Sequence, residues 1–279
     1  MHSSQENKDE RVVEAFGNEW GRFTQSELNE AERDAIFRSY FSEFPWEVLP
    51  PGATGADIGC GSGRWALCVA PRVGKLHLVD ASPVALDIAR RNLAGVTNVV
   101  FHQATVGDLP FSDDELDFAY SLGVLHHVPD TLAAMTAIAK KLKRGAPFLV
   151  YLYYALDNRP LWYRTLWRFS ELGRHIVSRL PRRMRFLVAD VLAAVVYWPL
   201  TRSAHLLDNL GCLPESWPLS AYRHRSYYVI RTDALDRFGT SLEKRFSREQ
   251  VRQMMEKAGF ERVQFSEHVP YWCAVGFKV

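Results

Sequence analysis

Three glycines and one acid carry the clearest chemical signal in this chain. Gly59, Gly61 and Gly63 fall in the run Asp57-Ile-Gly-Cys-Gly-Ser-Gly63, directly after a short apolar stretch and before a helical pattern. Glycines at such a point let the backbone turn tightly and approach a ligand closely. Asp80 ends the next apolar stretch, where a carboxylate can accept both hydroxyls of a ribose. Together they read as a site for a nucleoside with an unmodified 2′-hydroxyl. The dinucleotide spacing G-x-G-x-x-G does not fit, because Arg64 stands three residues after Gly61. A second group able to do chemistry is His126-His127, after the fourth apolar stretch. Histidine titrates near neutral pH and can take a proton from a nucleophile, which makes His126 the candidate base. His224, Tyr222, Tyr227 and Tyr228 are rivals for that role.

These residues need a scaffold that brings strand ends together. Short apolar runs at 53–58, 76–79, 99–102, 116–120 and 147–154 alternate with helical patterns at 65–71, 83–93 and 131–142. Such alternation predicts a parallel sheet covered on both faces. Ser82-Pro83 suits a helix start. Ser247-Arg-Glu-Gln250 is a capping box before an apolar stripe of Val251, Met254, Met255 and Ala258. Two last strands, near 262–266 and 272–277, are joined too closely for a crossover helix and are expected antiparallel. Residues 156–228 break the rhythm with an Arg-, Trp- and Leu-rich helical pattern punctuated by Pro160, Pro181, Pro199, Pro214 and Pro218. The expected organisation is an N-terminal helical lid over 1–45, an α/β domain from 46–155 and 229–279, and a helical insertion over 156–228.

Composition narrows the class. With 279 residues, 47% apolar and 24% charged, the chain is a globular protein long enough for a real core. A formal charge of +2 makes no case for nucleic acid. Cys60, Cys68, Cys212 and Cys273 are scattered, with no metal-ligand spacing, and read as reduced thiols of a cytoplasmic protein. No acidic cluster argues for a metal. The polar N-terminus has no secretory h-region, and the apolar stretches are read as too short to span a membrane.

The ordered set Ala56–Arg64, Leu78–Pro83, Asp108–Phe111 with Leu116–Phe118, Gly123–Val128 and Leu142–Gly145 resembles the class I S-adenosylmethionine-dependent methyltransferases, closest to their small-molecule branch. The resemblance covers about 46–155 and resumes over about 235–279. It implies a Rossmann-like sheet of seven strands with the last antiparallel, and S-adenosyl-L-methionine as cofactor. It places Asp57, Gly59, Cys60 and Gly61 along the methionine part, largely through backbone groups. Asp80 would hold the ribose, and Ala81 would pack by the adenine. Thr105 and Val106 stand where the family often has an acid and a small apolar residue beside the adenine, so Thr105 or Asp108 must serve instead. Ser121 and Leu122 would lie under the cofactor. In this family one histidine of such a pair often only bonds backbone to order its loop. Phe16-Gly-Asn-Glu-Trp20 could form a lid that excludes water, with Trp20 against the cofactor.

The resemblance also implies that 156–228 builds over the active site. Arg159, Arg164, Arg168, Arg174, Arg179, Arg182, Arg183 and Arg185 are interleaved there with Trp162 and Trp167, ahead of the apolar run 186–200. Three readings stand: a helical cap with solvated arginines, a peripheral contact of 156–200 with an anionic membrane, or a pocket for an acidic or lipid-linked substrate. The expected activity is methylation of a small or lipid-linked acceptor at oxygen or nitrogen. The alternatives are an RNA or other nucleic-acid methyltransferase, or a non-methylating nucleoside-binding protein of the same fold. The run Asn-Pro-Pro-Tyr or Asp-Pro-Pro-Tyr common in amino-methylating nucleic-acid enzymes is missing after the fourth strand. Nothing in the residues fixes an oligomeric state.

Overall fold

The structure is a computed structural model that describes residues 7–214, 216–240 and 242–279. The first six residues of the expected lid lie outside them. The chain divides into two compact units, Met1–Ala155 with Leu242–Val279, and Leu156–Ser241.

The first unit opens with two helices. The first, α1 (Glu10–Arg22), is capped by Asp9, whose side chain accepts from the Arg11 and Val12 amides. The second, α2 (Glu30–Tyr40), is capped by Asn29. Strands and helices then alternate: β1 (Thr54–Ile58), α3 (Ala66–Val69), β2 (Lys75–Asp80), α4 (Pro83–Asn92), β3 (Val99–Gln103), β4 (Phe118–Leu122), α5 (Thr131–Lys141) and β5 (Pro147–Tyr151). Ser82 caps α4 through the Ala85 amide, with Pro83 in the first turn, as its sequence suggests. The seven strands lie in the order β3-β2-β1-β4-β5-β7-β6. The strands β1 to β5 pair in parallel, and the last strand runs antiparallel to both its neighbours. The fold is the expected Rossmann-like α/β sheet.

Burial explains why the inner strands read as unbroken apolar runs. Residues 118–121 of β4 and 147–150 of β5 are buried on both faces, as a parallel strand covered by helices must be. Ile58, Leu116, Phe148, Met135 and Phe260 meet in one core that continues onto β6 and β7.

The helical unit holds α6 (Leu161–Val177), α7 (Arg182–Leu192), α8 (Trp198–Asn209) and α9 (Tyr227–Gly239). It runs further than the expected boundary at 228. Ile230, Ala234 and Phe238 of α9 form its core with Val177, Ala193 and Tyr197, so α9 belongs to this unit and not to the sheet domain. A π turn over Ala193–Tyr197 joins α7 to α8. The amide of Trp198 reaches back to the Ala193 carbonyl, and this widened turn accommodates Pro199, which lacks an amide to donate. Residues Arg182–Asn209 therefore form one continuous helix of 28 residues. This corrects the reading of the apolar stretch as too short: by length and composition the helix is enough to cross a membrane. The chain closes with α10 (Arg248–Lys257), carrying the expected capping box of Ser247 and Gln250, then β6 (Phe260–Phe265) and β7 (Cys273–Lys278).

Gly55 shows how tightly β1 is seated. A Cβ there would come within 2.2 Å of the Phe118 ring, which is itself fully buried. Overpacking a closed core costs roughly 1–3 kcal/mol. Gly55→Ala should lower the urea unfolding free energy by about that amount, and an unchanged midpoint would contradict the packing described.

Candidate cofactor site and active site

The expected cofactor residues collect at one edge of the sheet. β1, β2, β3 and β4 are adjacent and parallel, so Gly59–Gly61, Asp80–Ala81, Thr105–Val106 and Ser121–Leu122 all lie at C-terminal strand ends. That is where open parallel sheets bind ligands.

The glycine turn spends its own amides. Gly59 and Cys60 donate to the Val79 carbonyl at 2.7 and 3.0 Å. Gly61 donates to Asp80 Oδ2 at 2.9 Å, and Ser82 donates to Asp80 Oδ1 at 2.8 Å. An anion on this turn would find few N–H groups and the Asp80 side chain that already holds two of them. The turn therefore favours a cationic ligand, which separates it from pyrophosphate-binding turns more firmly than spacing does. It also narrows the expectation that Gly59, Cys60 and Gly61 act through backbone groups, since their amides are already engaged.

Asp57 lies buried below the turn. Burial pushes its carboxyl up to about 8; the nearby Tyr120 hydroxyl opposes that shift and the charge of Asp80 adds to it. Its Oδ2 has no hydrogen-bond partner among the described residues. Burial likewise raises Asp80, against the pull of the Ser82 and Gly61 amides. Two amides leave further lone pairs on the Asp80 carboxylate for hydroxyl donors. Thr105 Oγ1 is buried without a partner, whereas the Asp108 residue is exposed. Of the two candidates beside an adenine, Thr105 is the one already placed inside. Ser121 is fully buried and donates to the Ile58 carbonyl at 2.8 Å, so it ties β4 to β1.

The N-terminal helix lies over this edge. A Cβ on Gly61, whose φ is +53°, would meet the Trp20 indole at 2.8 Å. Phe16 packs edge-on against His127 with centroids 4.9 Å apart. Asn7 exchanges two hydrogen bonds with the Asp130 backbone at 2.7 and 2.9 Å, tying the start of the segment to the head of α5. The segment thus runs from the His126-His127 loop to the glycine turn.

The two histidines have different surroundings. His127 Nδ1 lies 2.6 Å from the Leu242 carbonyl, which can only accept, so this nitrogen carries the proton. His126 is 0% exposed, with its ring stacked on Tyr153 at 3.9 Å and beside His127 at 4.0 Å. Neither ring nitrogen of His126 has a partner among the described residues. Burial, then the neighbouring His127 and Arg245, hold it well below the usual histidine range, so the ring is neutral. Tyr153 and Arg245, whose guanidinium lies 5.0 Å from the Tyr153 ring, escaped the sequence reading. They meet because the Phe246 amide donates to the Tyr153 carbonyl and the Lys244 amide to that of His126. Two of the rival bases are committed within the helical unit: Tyr222 donates to Asp233 at 2.5 Å, and His224 lies 3.2 Å from Asp208.

Residues 56–145 match the model of a family described as a methyltransferase domain. Those residues form a class I S-adenosylmethionine-dependent methyltransferase domain. It is 37% identical over 104 residues to the uncharacterized methyltransferase YcgJ of Bacillus subtilis, covering 37% of this chain and 41% of that one. It is 28% identical over 193 residues to the ubiquinone biosynthesis O-methyltransferase of Xanthomonas campestris, covering 67% of this chain and 74% of that one. Its fold resembles a methyltransferase solved in complex with the Haloferax volcanii Trm112 methyltransferase activator, with TM-score 0.51, 15% identity and coverage of 94% and 96%.

The shifted Asp57 makes the stability of this methyltransferase depend on pH. The folded chain keeps the proton up to about pH 8, while the unfolded carboxyl loses it near the ordinary value of 3.8. Between those limits the folded state binds more protons, so stability is greatest at the acid end and falls as pH rises. Asp57→Asn keeps the neutral shape and should flatten that fall, a gain of a few kcal/mol near the alkaline end. Urea midpoints across the window, identical in slope for both proteins, would refute the assignment.

Proposed function

We propose that this methyltransferase carries a methyl group from S-adenosylmethionine to a small or lipid-linked acceptor, most naturally at oxygen. The observation that carries the reading is the glycine turn with its amides turned inward and two carboxyls, Asp57 and Asp80, facing it. Such a turn suits a ligand that is cationic and rich in hydroxyls. Asp57 would receive the amino acid part through its unpartnered oxygen, Asp80 the ribose hydroxyls, and Thr105 the adenine edge. Bound there, S-adenosylmethionine supplies an electrophilic methyl on a sulfonium that is already a good leaving group. The protein's share is to align the acceptor and exclude water. Phe16 and Trp20 on α1 supply the cover.

A hydroxyl acceptor must also lose its proton. His126 is neutral, with a free lone pair, and its ring is held by Tyr153 and His127. It would take that proton at Nδ1 or Nε2. The name of the Xanthomonas relative supports oxygen as the accepting atom and a quinone-like small molecule as the class of acceptor.

Two substitutions separate binding from chemistry. Asp80→Ala removes two charge-assisted bonds that shape the turn and should weaken S-adenosylmethionine about a hundredfold by calorimetry; equal affinity would refute the site. His126→Ala should lower kcat by about 10²–10⁴ while cofactor affinity stays near wild type. Its residual rate should climb with pH as hydroxide replaces the base. A loss equal at every pH would mean that His126 only supports the loop.

A further inference from the structure

We propose that the helical unit docks on an anionic lipid surface through the outer faces of α6 and α7. The inner face of α6 is identified by Arg174 and Val177, which are buried, and by Ser170 Oγ, which accepts from Arg237 of α9. At 100° per residue, Leu161, Leu172 and Ile176 fall on the far side of that helix, with Trp162 and Phe169 on the adjoining flank. They are exposed, Phe169 by 72%. The long helix repeats the arrangement. Ala189, Ala193 and Tyr197 face the core, while Met184, Leu187, Val191 and Val195 point away and are exposed, Leu187 by 64%. The long helix is therefore apolar on two sides, only one of which is used inside the unit, and α6 adds an outward apolar face of its own. Two outward apolar stripes of this length exceed the scattered exposure ordinary in a water-facing surface.

Charge selects the occupant. Residues 161–200 contain two acids, Glu171 and Asp190. Glu171 is drawn inward to Arg174 and Arg237 at 3.1 and 3.0 Å, and Asp190 pairs with Arg231 at 3.1 Å. Arg168, Arg179, Arg182 and Arg183 are all exposed beside the apolar stripes. The outward charge of these two helices is thus positive, with Trp162 near the start of α6. Apolar side chains edged by arginines and a tryptophan fit the boundary between acyl chains and anionic headgroups. A second copy would bring arginines against arginines. A bilayer crossing is disfavoured for Arg182–Asn209 because one side of it is committed to α9 and to the Asp190–Arg231 pair.

The test uses the full chain and reads binding, so it stands whether or not the proposed acceptor is correct. Flotation with vesicles of phosphatidylcholine alone and with added phosphatidylglycerol should show the protein on the anionic vesicles and its release by high salt. Phe169→Glu and Leu187→Glu should each weaken vesicle binding roughly tenfold or more, with unchanged circular dichroism and unchanged S-adenosylmethionine affinity. Arg182→Ser with Arg183→Ser should reduce the preference for phosphatidylglycerol. No flotation with either vesicle overturns the proposal. So does a stable dimer by light scattering that Phe169→Glu dissociates while vesicles are ignored, which would make a second copy the occupant. Resistance of vesicle-bound protein to alkaline carbonate would also overturn docking, in favour of a spanning helix.

Discussion

A single carboxylate determines what this sheet edge can hold. Asp80 accepts the amides of Gly61 and Ser82, one on each oxygen. By doing so it joins the turn after β1 to the turn after β2 and points the Gly61 amide away from any ligand. The same glycine-rich geometry could otherwise have cradled a phosphate. With its amides engaged and Asp57 beneath it, the turn is electrostatically reversed. The protein bears a cost for this. A buried carboxyl raised to about 8 destabilises the fold as pH rises. A cation beside Asp57 would offset that cost.

The close fit of α1 follows from the same turn. Gly61 must lack a side chain because the Trp20 indole occupies the place of its Cβ. Gly17 repeats the constraint one turn earlier, where a Cβ would fall 2.8 Å from Ser82 Oγ, the oxygen that caps α4. Asn92 extends the connection by donating to the carbonyls of Thr24 and Ser62. Helix α1, the glycine turn and α4 are therefore one packed assembly in which the cover and the floor share atoms. Moving Trp20 would move the turn.

What was legible in the sequence follows the physics of burial. The inner parallel strands could be read because burial on both faces leaves continuous apolar runs, and the candidate site residues were placed at the ends of those runs. Asp57, Gly61 and Asp80 were legible for that reason. The surroundings of His126 were not. Tyr153 reaches it through a bridge between Tyr154 and Phe246, and residues 242–246 have no periodicity to announce a partner 91 positions away. The boundary at α9 was misplaced because its apolar residues resemble those of the resuming domain, and only packing shows which core they enter. Pro199 suggested a break because a π turn that absorbs a proline leaves no pattern in side-chain type.

The unpaired polar atoms of the sheet unit make the strongest case for where a ligand belongs. An unsatisfied buried donor or acceptor costs about 1–3 kcal/mol, and folded domains retain few. In this chain Ser62 Oγ, Thr105 Oγ1 and both nitrogens of His126 are buried without partners among the described residues, and Asp57 Oδ2 and Tyr120 Oη are open apart from their influence on each other. They come from the ends of β1, β3 and β4 and the loops just beyond. Packing defects would be scattered through the core beneath α5 and α10, which is instead filled by Ile, Leu, Phe and Met side chains. Polar atoms left open along this edge of the sheet can still take partners from a ligand. Their types set what those partners must be: a cation or N–H donor for Asp57, a donor or acceptor for the hydroxyls, and a group with a proton to give for a neutral imidazole.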